Sequence, residues 1–260
     1  MIRRTLSMAI LLLLSSPIAA QQAGDSPKTA TPAEKKAAAS DPAAKEPAAK
    51  EPLAKKAPVK EPGLQAELLK MADDDQKARM SMLKEFGEKG ISLDDSKPPT
   101  NPLVILSMML SAAKLEAVDK KDRTRLAEII DKHGWPGKTL VGKEAASDAW
   151  LIVQHADADP AFQKRCLQLM KGLPKGEVEP QDVAYLTDRV LVADKKKQLY
   201  GTQLRSDGGK FKPLPIEDEA NVDKRRAEIG LMPLAEYLKI AQKYYDEAAG
   251  KKKQPDGGGK

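Results

Sequence analysis

The chain has 260 residues with 44 lysines and arginines against 38 aspartates and glutamates, a net charge of +6, and only 4% aromatic residues. A single cysteine, Cys166, excludes an intramolecular disulfide. The sequence has neither paired cysteines nor two histidines one helical turn apart, which are typical spacings of metal ligands. We therefore expect no metal site.

The first twenty residues have the three parts of a secretory signal peptide. Arg3 and Arg4 form a charged start, residues 8–14 are apolar, and residues 15–20 are mostly small and end at Ala20. The apolar run is well short of the roughly 20 residues needed to cross a bilayer. We predict cleavage after Ala20, export to the periplasm or the extracellular space, and no transmembrane span in the mature chain. The alternative is a retained N-terminal membrane anchor.

Residues 21–62 consist almost wholly of alanine, proline, lysine and glutamate, and the sequence Ala-Ala-Lys-Glu-Pro occurs at 43–47 and again at 48–52. A proline every five residues interrupts any helix. The segment also lacks the large apolar side chains whose burial would offset its ordering entropy. We predict a disordered, extended linker over 21–62 and a second disordered, basic tail over 250–260.

The excess of basic residues lies in these appendages. The signal carries two basic residues, the linker eight basic and six acidic, and the tail four and one, which leaves 30 basic and 31 acidic residues for 63–249. A nucleic-acid partner requires a basic patch on the folded domain, so we expect none. The lysines of the linker and tail either contact an anionic envelope surface or simply keep the protein soluble.

Residues 63–249 are predicted to form one mainly helical domain with one small β-hairpin, and they suffice for a real core. The predicted hairpin strands are Gln198–Arg205 and Lys210–Ile216, around an Asp-Gly turn signal. The predicted helices are Leu64–Phe86, Leu103–Ala117, Asp119–His133, Lys143–Ala156, Phe162–Met170, Pro180–Ala193, Asn221–Ile229 and Pro233–Ala248.

Several of these helices have specific features. Leu103–Ala117 is apolar on all sides, which predicts burial, and Asp119 is a plausible N-cap for the helix after it. Gly134 is expected to end that helix in a Schellman motif. Asp159 before a proline is expected to cap the helix that follows it, Phe162–Met170. Cys166 lies in the apolar pattern of that helix, which predicts a packed, inert thiol.

The end of the most apolar predicted helix, Lys143–Ala156, is polar, with Gln154, His155 and Asp157. Burying them without partners would cost a few kcal/mol each, so they form either a ligand site or satisfied interhelix hydrogen bonds. His133 has the same two interpretations, since a histidine in the last turn also interacts well with the helix dipole.

Two further segments are candidates. Asp188 and Arg189 lie beside the apolar stripe of their helix, as a solvated ion pair or as the wall of a groove. Gly201 would weaken a strand unless another backbone or a ligand approaches it, which makes Tyr200 and Gln203 candidate wall residues.

Taken together, the motifs of residues 133–237 resemble a bacterial family, domain of unknown function 6624. The resemblance covers about residues 64–245 and implies a shared fold, but it implies no activity, cofactor or substrate. The motifs are His133-Gly-Trp-Pro-Gly137, Leu140-Val-Gly142, Ala149-Trp-Leu151, Gln154-His-Ala-Asp157, Asp159-Pro160, Phe162-Gln163, Ala184-Tyr-Leu-Thr-Asp-Arg189, Tyr200-Gly-Thr-Gln203, Val222-Asp-Lys-Arg-Arg226 and Pro233-Leu-Ala-Glu-Tyr237.

We hypothesise that polar residues of these motifs converge on one pocket. His155 would be a general acid or base, oriented by Asp157 or Asp188, while Arg189 or Arg226 held a small anionic ligand for acyl or phosphoester hydrolysis by water. The alternative is a non-catalytic envelope binding or scaffolding module whose motif residues are caps and interhelix pins. The candidate catalytic residues are His155, Asp157 and His133, and the candidate ligand-binding residues are Trp135, Gln154, Asp188, Arg189, Tyr200, Gln203, Asp223 and Arg226.

Overall fold

The computed structural model describes residues 59–91, 99–207 and 209–248. The predictions for the signal peptide, for most of the linker and for the tail lie outside these residues. The described part contains seven α-helices and one antiparallel hairpin, which confirms the predicted fold class. The elements are α1 (Pro62–Glu88), α2 (Pro102–His133), α3 (Lys138–Gln154), α4 (Pro160–Lys171), α5 (Pro180–Ala193), β1 (Leu204–Asp207), β2 (Lys210–Pro213), α6 (Val222–Glu228) and α7 (Leu234–Ala248).

Four of these helices begin with a proline in their first turn, where the missing N–H would have no helical partner. The side chain of Asn101 caps α2 by accepting the N–H of Leu103 at 2.9 Å. The side chain of Asp159 caps α4 by accepting the N–H of Phe162 at 2.9 Å, which confirms the predicted cap. None of the helices within the described ranges is long and apolar enough to cross a membrane.

Two glycines interrupt the helices by adopting positive φ angles. Gly134 ends α2 with φ +73° and ψ −168°. This confirms the predicted stop but not the predicted Schellman motif, because the extended ψ angle is not left-handed helical. Gly142 (φ +81°) breaks the first turn of α3, so the regular helix starts at Lys143 as predicted.

The main hydrophobic core surrounds α3. Residues 149–153 of α3 are all buried, as their apolar character predicts. The core takes Leu68 from the first turns of α1 and Leu126 from the last turns of α2, and it also includes residues of α4, α5 and α7. Cys166 lies fully buried in it, and burial raises the pKa of its thiol to about 12. The thiol is therefore packed in the core, as predicted, and its raised pKa disfavours the reactive thiolate.

A second, smaller core joins the other ends of α1 and α2. It consists of Met82, Phe86, Ile91 and Leu115, with partly buried residues around them. We call residues 78–91 and 101–115 the arm. Across the arm, Lys89 Nζ donates to Ser107 Oγ at 2.9 Å.

Two predictions about α2 were wrong. Its helix is continuous through Asp119, so this residue caps nothing. Its first three turns are not buried all round, because Leu103 is 75% exposed and Met109 is 65% exposed. One side of these turns packs on α1 while the other faces solvent, and an apolar pattern alone cannot distinguish a buried surface from an exposed apolar one.

Candidate functional site

Between the two cores, α1 and α2 carry a group of ionisable residues that are buried, except for the partly buried Asp119. Asp75 and Arg79 take the place of apolar residues on α1, and Asp119 and Asp122 do so on α2. His155, directly after α3, completes the group. We call these five residues the polar layer.

Arg79 is the centre of the polar layer. Its Nη2 donates to Asp75 Oδ1 at 3.0 Å and also to Asp119. Its Nε lies 3.1 Å from Asp75 Oδ1 and 3.1 Å from Nδ1 of His155. One guanidinium therefore contacts three of the other four members.

The His155 ring is held by Asp75. Its Nδ1 lies 2.9 Å from Asp75 Oδ2. Because an ionised carboxylate only accepts hydrogen bonds, we assign the proton to Nδ1. Nδ1 then cannot also accept from Arg79, and the buried Nε2 is an acceptor without a hydrogen-bond partner among the described residues.

The polar layer contains more carboxylates than positive charges. Burial alone would raise the pKa of Asp75, but His155 and Arg79 outweigh this and lower it to about 2. Burial raises the pKa of Asp119 to about 7 against the attraction of Arg79, with a contribution from Asp75. Burial and Asp75 likewise raise the pKa of Asp122 to about 6. Burial lowers the pKa of His155, which keeps the ring neutral.

These shifts predict that the protein is most stable in mildly acidic solution. Between about pH 4 and 7 the folded state keeps protons on Asp119 and Asp122 that the unfolded chain releases, so stability falls as pH rises. Below about pH 4, Asp75 binds a proton in the unfolded chain but stays ionised in the folded state, so stability falls as the pH is lowered further. The lowered pKa of His155 has the opposite effect below about pH 6.5, because the unfolded chain binds a proton there that the folded state does not. This is one group against the two aspartates, so we expect the aspartates to determine the trend.

Asp119→Asn tests this prediction. We expect it to raise the free energy of unfolding by about 2 kcal/mol at pH 8, because the partly buried amide carries no charge. At pH 4 we expect little effect. Urea unfolding across this pH range measures both values, and an equal effect at pH 4 and pH 8 would contradict the proposed shift of Asp119.

A second polar group joins α3, α4 and α5. Arg189 Nε donates to Gln154 Oε1 at 3.1 Å, and its Nη1 pairs with Asp157. Gln163 donates to both Asp157 Oδ1 and the carbonyl of Val153 at 3.1 Å. Gln154, Gln163 and Arg189 are buried, whereas Asp157 is exposed. These contacts hold the C-terminal end of α3 against α4 and α5.

A third group fastens the chain segment after α5. The fully buried carboxylate of Asp188 accepts the backbone N–H groups of Leu199, Tyr200 and Thr202 at 2.7–3.1 Å, and the Thr202 hydroxyl at 2.9 Å. Burial raises the pKa of Asp188, although these hydrogen bonds act to lower it. Gly201 lies within this segment at φ +69°. A Cβ atom there would meet a core leucine side chain at 2.9 Å, so a side chain rather than a ligand occupies this space.

Arg226 holds the same segment from the other side. It is fully buried, and it donates to the carbonyls of Tyr200 and Met232 at 2.6 Å each. Its guanidinium lies 5.1 Å from the ring centre of Tyr237. Asp223 caps the start of α7 by accepting the N–H of Leu234 at 2.7 Å.

The remaining predicted site residues lie elsewhere. His133 is half-buried and borders a groove of about 270 Å³ beside Lys132 and Arg125. Trp135 is buried in the main core. The backbone N–H of Gln203 donates to the side chain of Gln198 at 2.8 Å, and its own side chain reaches Thr202.

The predicted site residues thus fall into separate places. One group contains Gln154, Asp157 and Arg189, and another contains Asp188, Tyr200 and Arg226. His155 belongs to the polar layer, and His133 borders a different groove. The interpretation of Asp188 and Arg189 as a solvated ion pair was wrong, and the interpretation as a groove wall stays a prediction. Both side chains are buried, and they bind different partners.

Sequence reasoning missed Asp75, Arg79 and Asp119. A signal was present, because Asp75 and Arg79 continue the helical spacing from Met71 to Met82. One donor atom each from Asp75, Asp119 and His155 lie within 4.8 Å of one another, a spacing that suits a metal ion. In this structure the Arg79 guanidinium contacts all three residues, and it supplies the positive charge that a metal ion would otherwise bring.

The fold and these groups define a helical domain held together by buried polar contacts. A family model described as Family of unknown function (DUF6624) matches residues 62–251. The chain therefore belongs to this family, which confirms the resemblance of its motifs. No curated protein and no solved structure matches the chain.

Proposed function

We propose that this protein is an exported, non-catalytic scaffolding module of the bacterial cell envelope, which makes its contacts through the arm. One observation carries the proposal. Within the described residues, six of the eight exposed large hydrophobic side chains lie on the arm, and an apolar patch of this kind typically marks an interaction surface. The six are Met80, Leu103, Ile105, Leu106, Met109 and Leu110.

The roles of the motif residues support this proposal. Asp188, Arg226 and Asp223 use their polar groups to hold backbone N–H and carbonyl groups of the chain itself. His155 is buried against Asp75. Such contacts are those of caps and pins, which stabilise a fold without requiring a substrate.

The N-terminal sequence supports export. The charged start, apolar run and small residues before Gln21 suit a cleaved signal. The proline-rich linker that follows would extend the domain away from whatever anchors its first residues. Its lysines, with those of the tail, would favour an anionic envelope surface.

A cross-linking experiment tests the role of the arm. Cells producing the full chain are treated with a lysine-reactive cross-linker, and higher-mass adducts are quantified. We expect Leu106→Ser/Met109→Ser/Leu110→Ser to reduce the adducts by roughly tenfold or more, because burying each such side chain is worth about 1.5–3 kcal/mol. The matched control, Met232→Ser/Ile240→Ser, removes exposed apolar residues outside the arm and should leave the adducts unchanged. Equal adducts from the arm variant and the wild type would contradict the proposal.

A hydrolytic or ligand-binding site is the second candidate function. The observation in its favour is the Asp75, Asp119 and His155 donor set, together with the unpartnered Nε2 of His155. A divalent cation would have to replace Arg79 among these donors. If Mn²⁺ or Zn²⁺ raised the Tm of the wild type but not that of Asp119→Asn, this candidate would gain support over the first.

A further inference from the structure

We infer that the arm pairs with the arm of a second copy of this chain, so that two helical hairpins form a four-helix bundle. This inference rests on the proposed scaffolding function and names its partner. The contact would be isologous, with the same surface used on both copies.

The arm has the construction of half a bundle. Its α1 and α2 segments pack against each other through Met82, Phe86 and Leu115. On the outer side, Leu103, Leu106 and Leu110 recur at intervals of three and four residues, as in the apolar stripe of a packed helix. A pair of helices with an apolar layer between them and another outside matches one half of an antiparallel four-helix bundle.

The rest of the chain offers little to cover this surface. Outside the described residues and after the predicted signal, the large apolar side chains are Leu53 in 21–58 and Leu93 in 92–98. The segment 249–260 contributes none. Two leucines are too few to cover six exposed side chains, so these segments do not supply the occupant.

The charges around the arm favour a like copy over an anionic bilayer. Lys84 pairs with Glu88 at 3.7 Å and Lys89 with Glu85 at 2.6 Å, each within one turn of α1. These pairs cancel within α1, and Lys114 on α2 adds one positive charge, which is far from the lysine-rich and arginine-rich face that binds acidic lipid. One extra lysine on each copy would cause only weak repulsion between two arms at physiological ionic strength.

Symmetry also doubles the contact. Each copy contributes six exposed apolar side chains, and a specific interface usually involves about 20–30 residues a side including its rim. The six therefore form the centre of the contact, with surrounding residues of both arm segments as its rim. The expected affinity is modest, in the micromolar range.

Sedimentation velocity of the chain from residue 21 to residue 260 tests the inference. We expect the wild type and Met232→Ser/Ile240→Ser to be dimeric at about 100 µM, well above a micromolar Kd. Leu106→Ser/Met109→Ser/Leu110→Ser should dimerise at least about tenfold more weakly. Its Tm should be unchanged at dilutions where all three proteins are monomers, since these side chains lie outside both cores.

A cysteine substitution locates the contact. Leu106→Cys, near the middle of the patch, should form an intermolecular disulfide under mild oxidation, whereas Ile240→Cys should not. The native Cys166 is buried with a raised pKa and will not interfere.

A wild type that stays monomeric, or an arm variant that dimerises as well as the wild type, would overturn the inference. If a monomer sedimented with vesicles of phosphatidylglycerol and phosphatidylethanolamine, the occupant would be lipid. If adducts in cells still depended on the arm, the scaffolding function would stand without the dimer. If the arm variant gave as many adducts as the wild type, both proposals would fail.

Discussion

Replacing Arg79 by alanine is expected to lower the free energy of unfolding by about 3–5 kcal/mol, because it leaves buried carboxylates without their counter-charge. Arg79 contacts Asp75 with two nitrogen atoms and also reaches Asp119. Its own side chain is only 5% exposed, so water cannot take its place easily. Urea unfolding at pH 8 measures the loss, which should shrink at pH 5 as Asp119 becomes protonated.

Arg125→Ala is the matched control for this substitution. Arg125 pairs with Glu67 and Glu128 on the same two helices, but its side chain is 45% exposed. An exposed ion pair contributes little to stability, so Arg125→Ala should cost far less than Arg79→Ala. If the two substitutions cost the same, the polar layer does not hold α1 and α2 together. Replacing Asp75, Arg79 and Asp119 together by apolar residues should cost much less than Arg79→Ala alone.

Asp188→Ala is expected to cost a similar amount, about 3–5 kcal/mol. It leaves the backbone N–H groups of Leu199, Tyr200 and Thr202 without their acceptor, and each unsatisfied buried group costs about 1–3 kcal/mol. Asp188→Asn should cost less, since one amide oxygen can still accept part of this set. Urea unfolding gives the total, and hydrogen exchange should accelerate at these three amides.

Asp194→Ala is the control, at the residue directly after the same helix. Asp194 pairs with Lys164 and Lys196 near the surface, so its loss should have little effect. Unchanged exchange at Leu199 and Thr202 in Asp188→Ala would show that the segment is held by something else, such as Arg226.

Most helix boundaries could be predicted because they depend on neighbouring residues. Asp159 caps α4 through a hydrogen bond three residues along the chain, and Gly134 ends α2 through its own backbone angles. Interactions of this kind need no tertiary partner. The hairpin was predicted for the same reason, although its paired strands are shorter than expected.

The environment of α2 could not be predicted from its own residues. The apolar segment from Leu103 to Leu110 predicts burial equally well whether its partner is this chain or another molecule. Asp119 resembles an N-cap in sequence, but the helical residues before it remain helical because Leu115 packs against α1. Packing against a distant helix overrides a local preference of about 1 kcal/mol.

The candidate site was predicted only in part. The motif residues His155, Asp188 and Arg226 are buried and polar, but the burial of Asp188 and Arg226 was not predicted, and their partners could not be read from spacing. Asp75 meets His155 across 80 positions of sequence, and no local rule brings these two residues together.

The sequence by itself determined the family, the helical class and the ends of most helices, because composition, prolines, glycines and caps act over a few residues. The tertiary structure alone decided which carboxylates share Arg79, which backbone groups Asp188 holds, and which apolar face of α2 remains exposed. These depend on how distant helices pack, where the desolvation of each group and the charge of its neighbours determine its state.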